Sequence, residues 1–264
     1  MEVSTSTEPG ETMDDAELER VRAHLGTVLA TLAARIGAVA DAGPGWWIGL
    51  TGGVAPELNL ALLTTPDVET LDGTLAIVED AGLAALVLLA GPGRGLADRL
   101  GSPWATLPAV AVMTRDLTTG PRDAPDRRVR QAGPADAEVV ADLVAAAHSL
   151  TADDTAITVA AALPGGVVRA WLLEEDGLAV SAVVSGHLDD AVSLWALSTP
   201  PAFAGRGYGR ALLAGVLAQS RADGARLGML AATPAGVPLY EASGWRIVEE
   251  WDLVTNAGSA PPLG

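Results

Sequence analysis

Apolar residues at Leu18, Val21, Leu25, Val28, Leu32 and Ile36 recur every three or four positions, which places them on one face of a helix and predicts an α-helix from about Asp15 to Ala42. Gly43-Pro44-Gly45 stops it, and the period then shortens. Trp46 to Leu50 and Leu58 to Leu63 read as strands, Val68 to Ala81 as a helix, and Leu83 to Ala90 as a buried strand. The turn Gly91-Pro92-Gly93-Arg94-Gly95 leads into a short helix, Leu96 to Leu100, and Ala109 to Met113 is another apolar strand.

Between Thr118 and Arg128 the apolar pattern disappears. The stretch TTGPRDAPDRR has two prolines and alternating charge, the composition of a linker. This reading divides the chain into a tail (residues 1–15), a first domain (16–118), a linker (119–128), a second domain (129–255) and a short tail (256–264). In the second domain Val129 to Gln131 is extended. Pro134 opens a helix to His148, with Asp136 and Glu138 favourably placed in its first turn. Thr151 to Leu163 reads as a weaker helix. Strands follow at Val167–Glu174, Leu178–Gly186 and Ala191–Thr199, then a helix Gly207–Ala222, a strand Leu227–Ala232, a helix Gly236–Ser243 and a strand Trp245–Val254. That order, β-α-α-β-β-β-α-β-α-β, predicts an α/β fold with a mixed sheet flanked by helices.

Composition narrows the chemistry. Among the 264 residues there is no cysteine, which excludes disulfides, thiolate metal sites and a cysteine nucleophile, and fits a reducing, cytoplasmic setting. The formal net charge of −17 repels polyanions, so nucleic acid is not an expected partner. The longest apolar run, Ala81 to Ala90, is far short of a membrane span, and Met1 to Asp15 lacks the apolar core of a signal peptide. No metal is called for. An anionic ligand would need a local feature strong enough to override the global charge.

Leu197 to Leu213 supplies one. A strand ends at Thr199, a turn contains Gly205, Gly207 and Gly209, and a helix begins at once. A helix N-terminus presents unpaired amides and positive dipole density, and glycines let an anion approach that backbone closely. Arg206 and Arg210 add charge there, with Arg221 and Arg226 further along the same unit. No Walker lysine follows, and the preceding strand belongs to a meander, unlike a dinucleotide-binding unit.

The segment resembles motif A of the GNAT superfamily of N-acetyltransferases, whose usual form is L-x-V-x-P-x-x-[QR]-x-x-G-x-[GA]. Leu197, Thr199 and Pro201 fall on the strand-end positions, and Gly207 and Gly209 on the glycines. Leu230 to Trp245 resembles that superfamily's second landmark, with Thr233 at the strand end, Tyr240 on the following helix and Gly244-Trp245 as its G-[FW] pair. The resemblance implies an acetyl-CoA-dependent acyltransferase acting on a small amine. It implies that the pantetheine arm runs along Leu197, Ser198 and Thr199, and that the pyrophosphate rests on Ala204, Gly205, Arg206, Gly207, Tyr208, Gly209 and Arg210. Thr233 would stand beside the cofactor, and Tyr240 would be the acid that protonates the departing thiolate. Ala204 departs from the pattern, since Gln or Arg is usual there, and one phosphate contact is lost with it. The general base stays open among Glu174, Glu175, His187, Asp189 and, as the resemblance allows, a chain of waters. The first half resembles a degenerate copy of the same fold, with Gly91–Gly95 taken as structural because Pro92 lacks an amide donor. A non-catalytic acyl-CoA sensor is the alternative function, and a homodimer is compatible with the sequence.

Overall fold

A computed structural model describes residues 13–35, 39–119, 123–148, 150–151, 154–155 and 166–258. Helix α1 (Asp15–Arg35) is followed by strands β1 (Val39–Gly43), β2 (Trp46–Leu50) and β3 (Asn59–Leu63), helix α2 (Val68–Ala81) and strand β4 (Leu86–Leu89). A 3-10 helix at Gly91–Arg99 then leads to the long strand β5 (Ala105–Asp116). The second half runs β6 (Val129–Gln131), α3 (Ala137–His148), β7 (Val168–Glu175), β8 (Leu178–Leu188), β9 (Ala191–Ser198), α4 (Tyr208–Ala222), β10 (Leu227–Ala232), α5 (Val237–Glu241) and β11 (Arg246–Thr255).

Among the described residues these strands form one eleven-stranded mixed sheet, in the order β1-β2-β3-β4-β11-β5-β10-β9-β8-β7-β6. Only β3 with β4 and β9 with β10 run parallel, and each of these pairs is joined by a crossover helix, α2 or α4. The first half therefore traces β3-α2-β4-turn-β5, and the second repeats it as β9-α4-β10-α5-β11. The last strands are exchanged between the halves. β5 lies between β10 and β11, and β11 lies between β4 and β5, antiparallel throughout. The sheet thus continues across the boundary read at residues 119–128. Separating the halves would expose long unpaired strand edges on both.

Period-2 alternation sorts the core into two faces. Val112 of β5 and Leu88 of β4 point toward α1, where Val21, Leu25 and Leu29 meet Met229 and Trp251. Their neighbours Met113 and Val87 point the other way. There Leu212, Leu213, Val216 and Leu217 of α4 close over Leu194 and Leu230, and Leu71 and Val78 of α2 close over Leu63 and Leu89. Val140, Leu143 and Val144 of α3 cover β7 and β8. α1 crosses both halves, and its Arg22 pairs with Glu249 of β11 (2.5 Å).

At two boundaries strand pairing overrides the periodicity. α1 ends at Arg35, and Val39–Gly43 is a strand, because the turn at Gly45 (φ 76°) folds it back onto β2 from Val39↔Leu50 to Gly43↔Trp46. Cross-strand pairing wins over local helical spacing there. β5 begins at Ala105, four residues before its apolar run, because β11 pairs with it from Thr255 onward. The helix read at Thr151–Leu163 lies mostly outside the described residues. No described helix is long and apolar enough to cross a membrane.

Candidate active site

The site forms where β9 and β10 part. They pair only from Leu227↔Ala191 to Leu230↔Leu194. Beyond that point β10 continues against β5 (Ala231↔Val112, Ala232↔Ala111) and β9 continues against β8 (Val184↔Trp195, Ala182↔Ser198). Among the described residues, the β10-facing edge of Trp195–Ser198 is left without a strand partner over about 13 Å, at ~3.3 Å per residue. Ala196 sits in the left-handed region (φ 49°), and the β8–β9 register shifts between Ala182 and Val184. This bulge turns the strand out of the sheet. Ser198 is fully buried and locks the bulge. Its hydroxyl donates to the Ala196 carbonyl (2.9 Å), while the Ser181 hydroxyl donates to the Ser198 carbonyl and meets Thr199 Oγ1, both at 2.8 Å.

The chain then turns through a 3-10 helix, Pro201–Phe203, whose end engages the Ala204 amide (Pro201 carbonyl, 3.3 Å). Gly205 (φ 75°) and Gly207 (φ 78°) both need the left-handed conformation, and a Cβ on either would meet nothing within 4 Å. Gly207 is the N-cap of α4 and has no side chain to cap it. Ala211 is the first amide to bond back, to the Gly207 carbonyl (3.0 Å), and among the described residues no group accepts from the amides of Gly205 to Arg210. Gly209 lets the helix approach the strand end, since a Cβ there would lie 3.2 Å from Thr199 Oγ1. Tyr208 is half-buried and packs against the same core cluster as Leu197. Arg206 and Arg210 are exposed, and neither has an ion-pair partner among the described residues. The result is a row of free amides, two unpaired guanidinium groups and a helix dipole, a ready anion cradle on an acidic protein.

Tyr240 stands on α5, the short helix that follows β10. Its ring meets Trp245 edge-on (centroids 6.0 Å apart, 71°) and packs in the same cluster as Leu197 and Tyr208. Gly236 gives it room, lying close to both the Tyr240 ring and Thr233 Oγ1. Burial pushes the phenol up to about 12, so it is a protonated donor at neutral pH.

Residues 143–245 match the family model described as the Acetyltransferase (GNAT) family. This part of the chain is a GNAT acetyltransferase domain. Solved structures agree in fold across both halves. A GCN5-related N-acetyltransferase from Kribbella flavida superposes with TM-score 0.63 at 15% identity, covering 90% of this chain and 96% of that one. Another from Sphaerobacter thermophilus gives 0.54 at 12%, covering 88% and 91%. A comparison with curated proteins finds no match. Acyl transfer is therefore the general chemistry of the GNAT domain.

The fold brings Leu197, Ser198, Thr199, Ala204 to Arg210, Thr233 and Tyr240 to one end of the sheet. It does not bring all the arginines there. Arg221 lies at the far end of α4, roughly 20 Å away at 1.5 Å per residue, bonded to the Thr118 carbonyl, and the Arg226 amide bonds the Asp190 carbonyl. The four base candidates also have other duties. Glu174 and Glu175 pair with Arg130 (2.7 Å) and Arg128 (2.6 Å). His187 and Asp189 sit around the β8–β9 turn, at the opposite end of β9 from Ser198, with Asp189 holding a left-handed turn position. Sequence reasoning passed over His148, at the end of α3, because a lone histidine closing an apolar helix carries no local signal.

The three histidines also set an acid limit on stability. His187 contacts Ser185 Oγ (2.9 Å) and is pushed down to about 4, mainly by burial and then by Arg169, with Asp223 opposing. His24, beside Ser193 Oγ (3.2 Å), is lowered by burial too. Above pH ~6.5 these rings are neutral in the folded and unfolded states. As pH falls from about 6.5 toward 4, the unfolded chain takes up protons that the fold refuses, so the unfolding free energy drops across that window. Urea midpoints should therefore be lower at pH 5 than at pH 7, with a smaller difference in His187→Gln. Equal midpoints for the wild type would refute this.

Proposed function

We propose that the GNAT domain transfers the acetyl group of acetyl-CoA to a small amine, and that it does so with one site per chain. One observation carries the reading: the unpaired edge of β9 leads directly into the free amides of Gly205–Arg210. An extended arm bearing amide groups can add to that edge as a strand would, and a pyrophosphate at its far end would meet the amides, Arg206 and Arg210. The left-handed glycines fit this use, since side chains at Gly205 and Gly207 would project toward the anion. Ala204 adds no contact of its own, so backbone amides do the holding. Bound there, acetyl-CoA would supply an activated acyl carbon. The chain's own residues would orient it along Leu197 and Thr199, and would offer the Tyr240 hydroxyl to the sulfur as charge develops on it. The acidic surface favours a cationic acceptor and disfavours nucleic acid, and a cytoplasmic setting supplies both acetyl-CoA and amines.

The first half argues for a single site. By topology its counterpart of α4 is α2, and there the N-cap is Asp67, whose carboxylate accepts from the Thr70 amide (2.8 Å). The anion position is filled from within. The Gly91–Gly95 turn is committed as well. The Gly91 amide donates to Glu249 (2.9 Å), Arg94 pairs with Asp252, and a Cβ on Gly93 would lie 2.6 Å from the Leu63 carbonyl. We read this half as a structural copy that completes the sheet. Calorimetric titration should give one acetyl-CoA per chain, and a stoichiometry of two would overturn this reading. Melting with and without acetyl-CoA, followed by thiol release over a panel of primary amines, tests the transferase itself. Stabilisation without turnover would mark the domain as a sensor.

A further inference from the structure

The open edge of β9 has a polar neighbour with no assigned task. His148 ends α3, which packs on β8 and β9. Its Nε2 is hidden from solvent and has no hydrogen-bond partner among the described residues. The Leu197 backbone bears on the ring and favours its charged form, while burial disfavours it and wins. Leu197 follows Ala196, the left-handed residue of the bulge, within the stretch of β9 that has left β10. A buried ring nitrogen left without a partner costs folding free energy, and a role in catalysis is one reason a fold retains such a group. Among the described residues no charged side chain of α3, β8 or β9 bears on this ring, so burial keeps it neutral and able to accept a proton.

We propose that His148 is the base that takes a proton from the acceptor amine at the open edge of β9, an assignment that rests on the acyl-transfer reading. The step balances. An alkylammonium gives one N–H proton to the imidazole, and its freed lone pair forms the C–N bond at the acyl carbon. The C–S bond breaks with its electron pair going to sulfur, and the Tyr240 hydroxyl protonates the thiolate. The nitrogen's second proton restores the phenol, and the imidazolium releases its proton to solvent. His148, Leu197 and Tyr240 thus serve one reaction from three elements.

The test uses the full chain. Wild type and His148→Gln are assayed for thiol release from acetyl-CoA with primary amines over about pH 5 to 9, and for acetyl-CoA affinity by calorimetry. The expected result is a loss in kcat/KM on the order of a hundredfold with acetyl-CoA affinity unchanged. The acidic limb of the wild-type profile should vanish in the variant, and free imidazole should restore activity to His148→Gly. Full activity in His148→Gln with the acidic limb intact overturns the assignment while leaving the transferase reading standing. No thiol release by wild type with any amine overturns both. Where the variants do not fold, NMR titration of the wild-type His148 ring decides. The amine that turns over should shift its titration, and an unmoved ring overturns the proposal.

Discussion

Tyr240→Phe should lower kcat about ten- to a thousandfold while leaving the Michaelis constant for acetyl-CoA nearly unchanged. The variant removes one oxygen and keeps the ring, so the edge-on packing against Trp245 and the contact with Gly236 survive. The hydroxyl matters in the transition state, where charge gathers on sulfur, more than in the ground state. Burial sharpens the expectation. With the phenol pushed up to about 12, full transfer to a thiolate of ordinary pKa near 8.5 is uphill. The transfer is therefore completed only as the nitrogen's second proton returns to the phenol oxygen, and that cost favours the lower part of the range. Steady-state kinetics and melting curves on the two proteins check this. Unchanged kcat with a depressed melting temperature would show that Tyr240 is a packing residue only.

Gly207→Asp should weaken acetyl-CoA binding by more than about a hundredfold, or about 2.7 kcal/mol, while α4 stays folded. A Cβ at Gly207 has open space around it, and Asp is among the residues that tolerate left-handed backbone. An Asp in this place would set a carboxylate at the start of α4, as Asp67 does at the start of α2, though from a left-handed rather than an extended backbone. Its carboxylate would accept from the free amides and fill the anion position with the protein's own charge. The variant should therefore melt at or near the wild-type temperature while losing its ligand. Gly207→Ala, which pays the left-handed cost without the charge, should lose much less affinity. Calorimetric titration of the three proteins decides. Equal affinity in wild type and Gly207→Asp would remove the phosphate cradle from Gly205–Arg210.

Much of this molecule could be read along the chain, because its signals are local. The 3.6-residue spacing of Leu18 to Leu32 marks α1, and the glycines before Leu212 and Leu213 mark a strand-to-helix turn with an exposed N-terminus. Tyr240 and Gly244-Trp245 could be placed because α5 and its turn hold them within a few residues of one another. What sequence spacing could not supply is every relation between distant segments. The exchange of β5 and β11 joins the two halves through strand pairing, and neither strand carries a residue pattern that names its neighbour. The parting of β9 from β10 after Leu194 depends on the partners that β8 and β5 provide, so the open edge belongs to the sheet and not to β9 alone. His148 and Leu197 lie 49 positions apart and meet because α3 packs across β9. Local hydrogen bonding and side-chain periodicity write secondary structure into neighbouring residues, whereas proximity across a sheet arises when the whole apolar surface is buried at once.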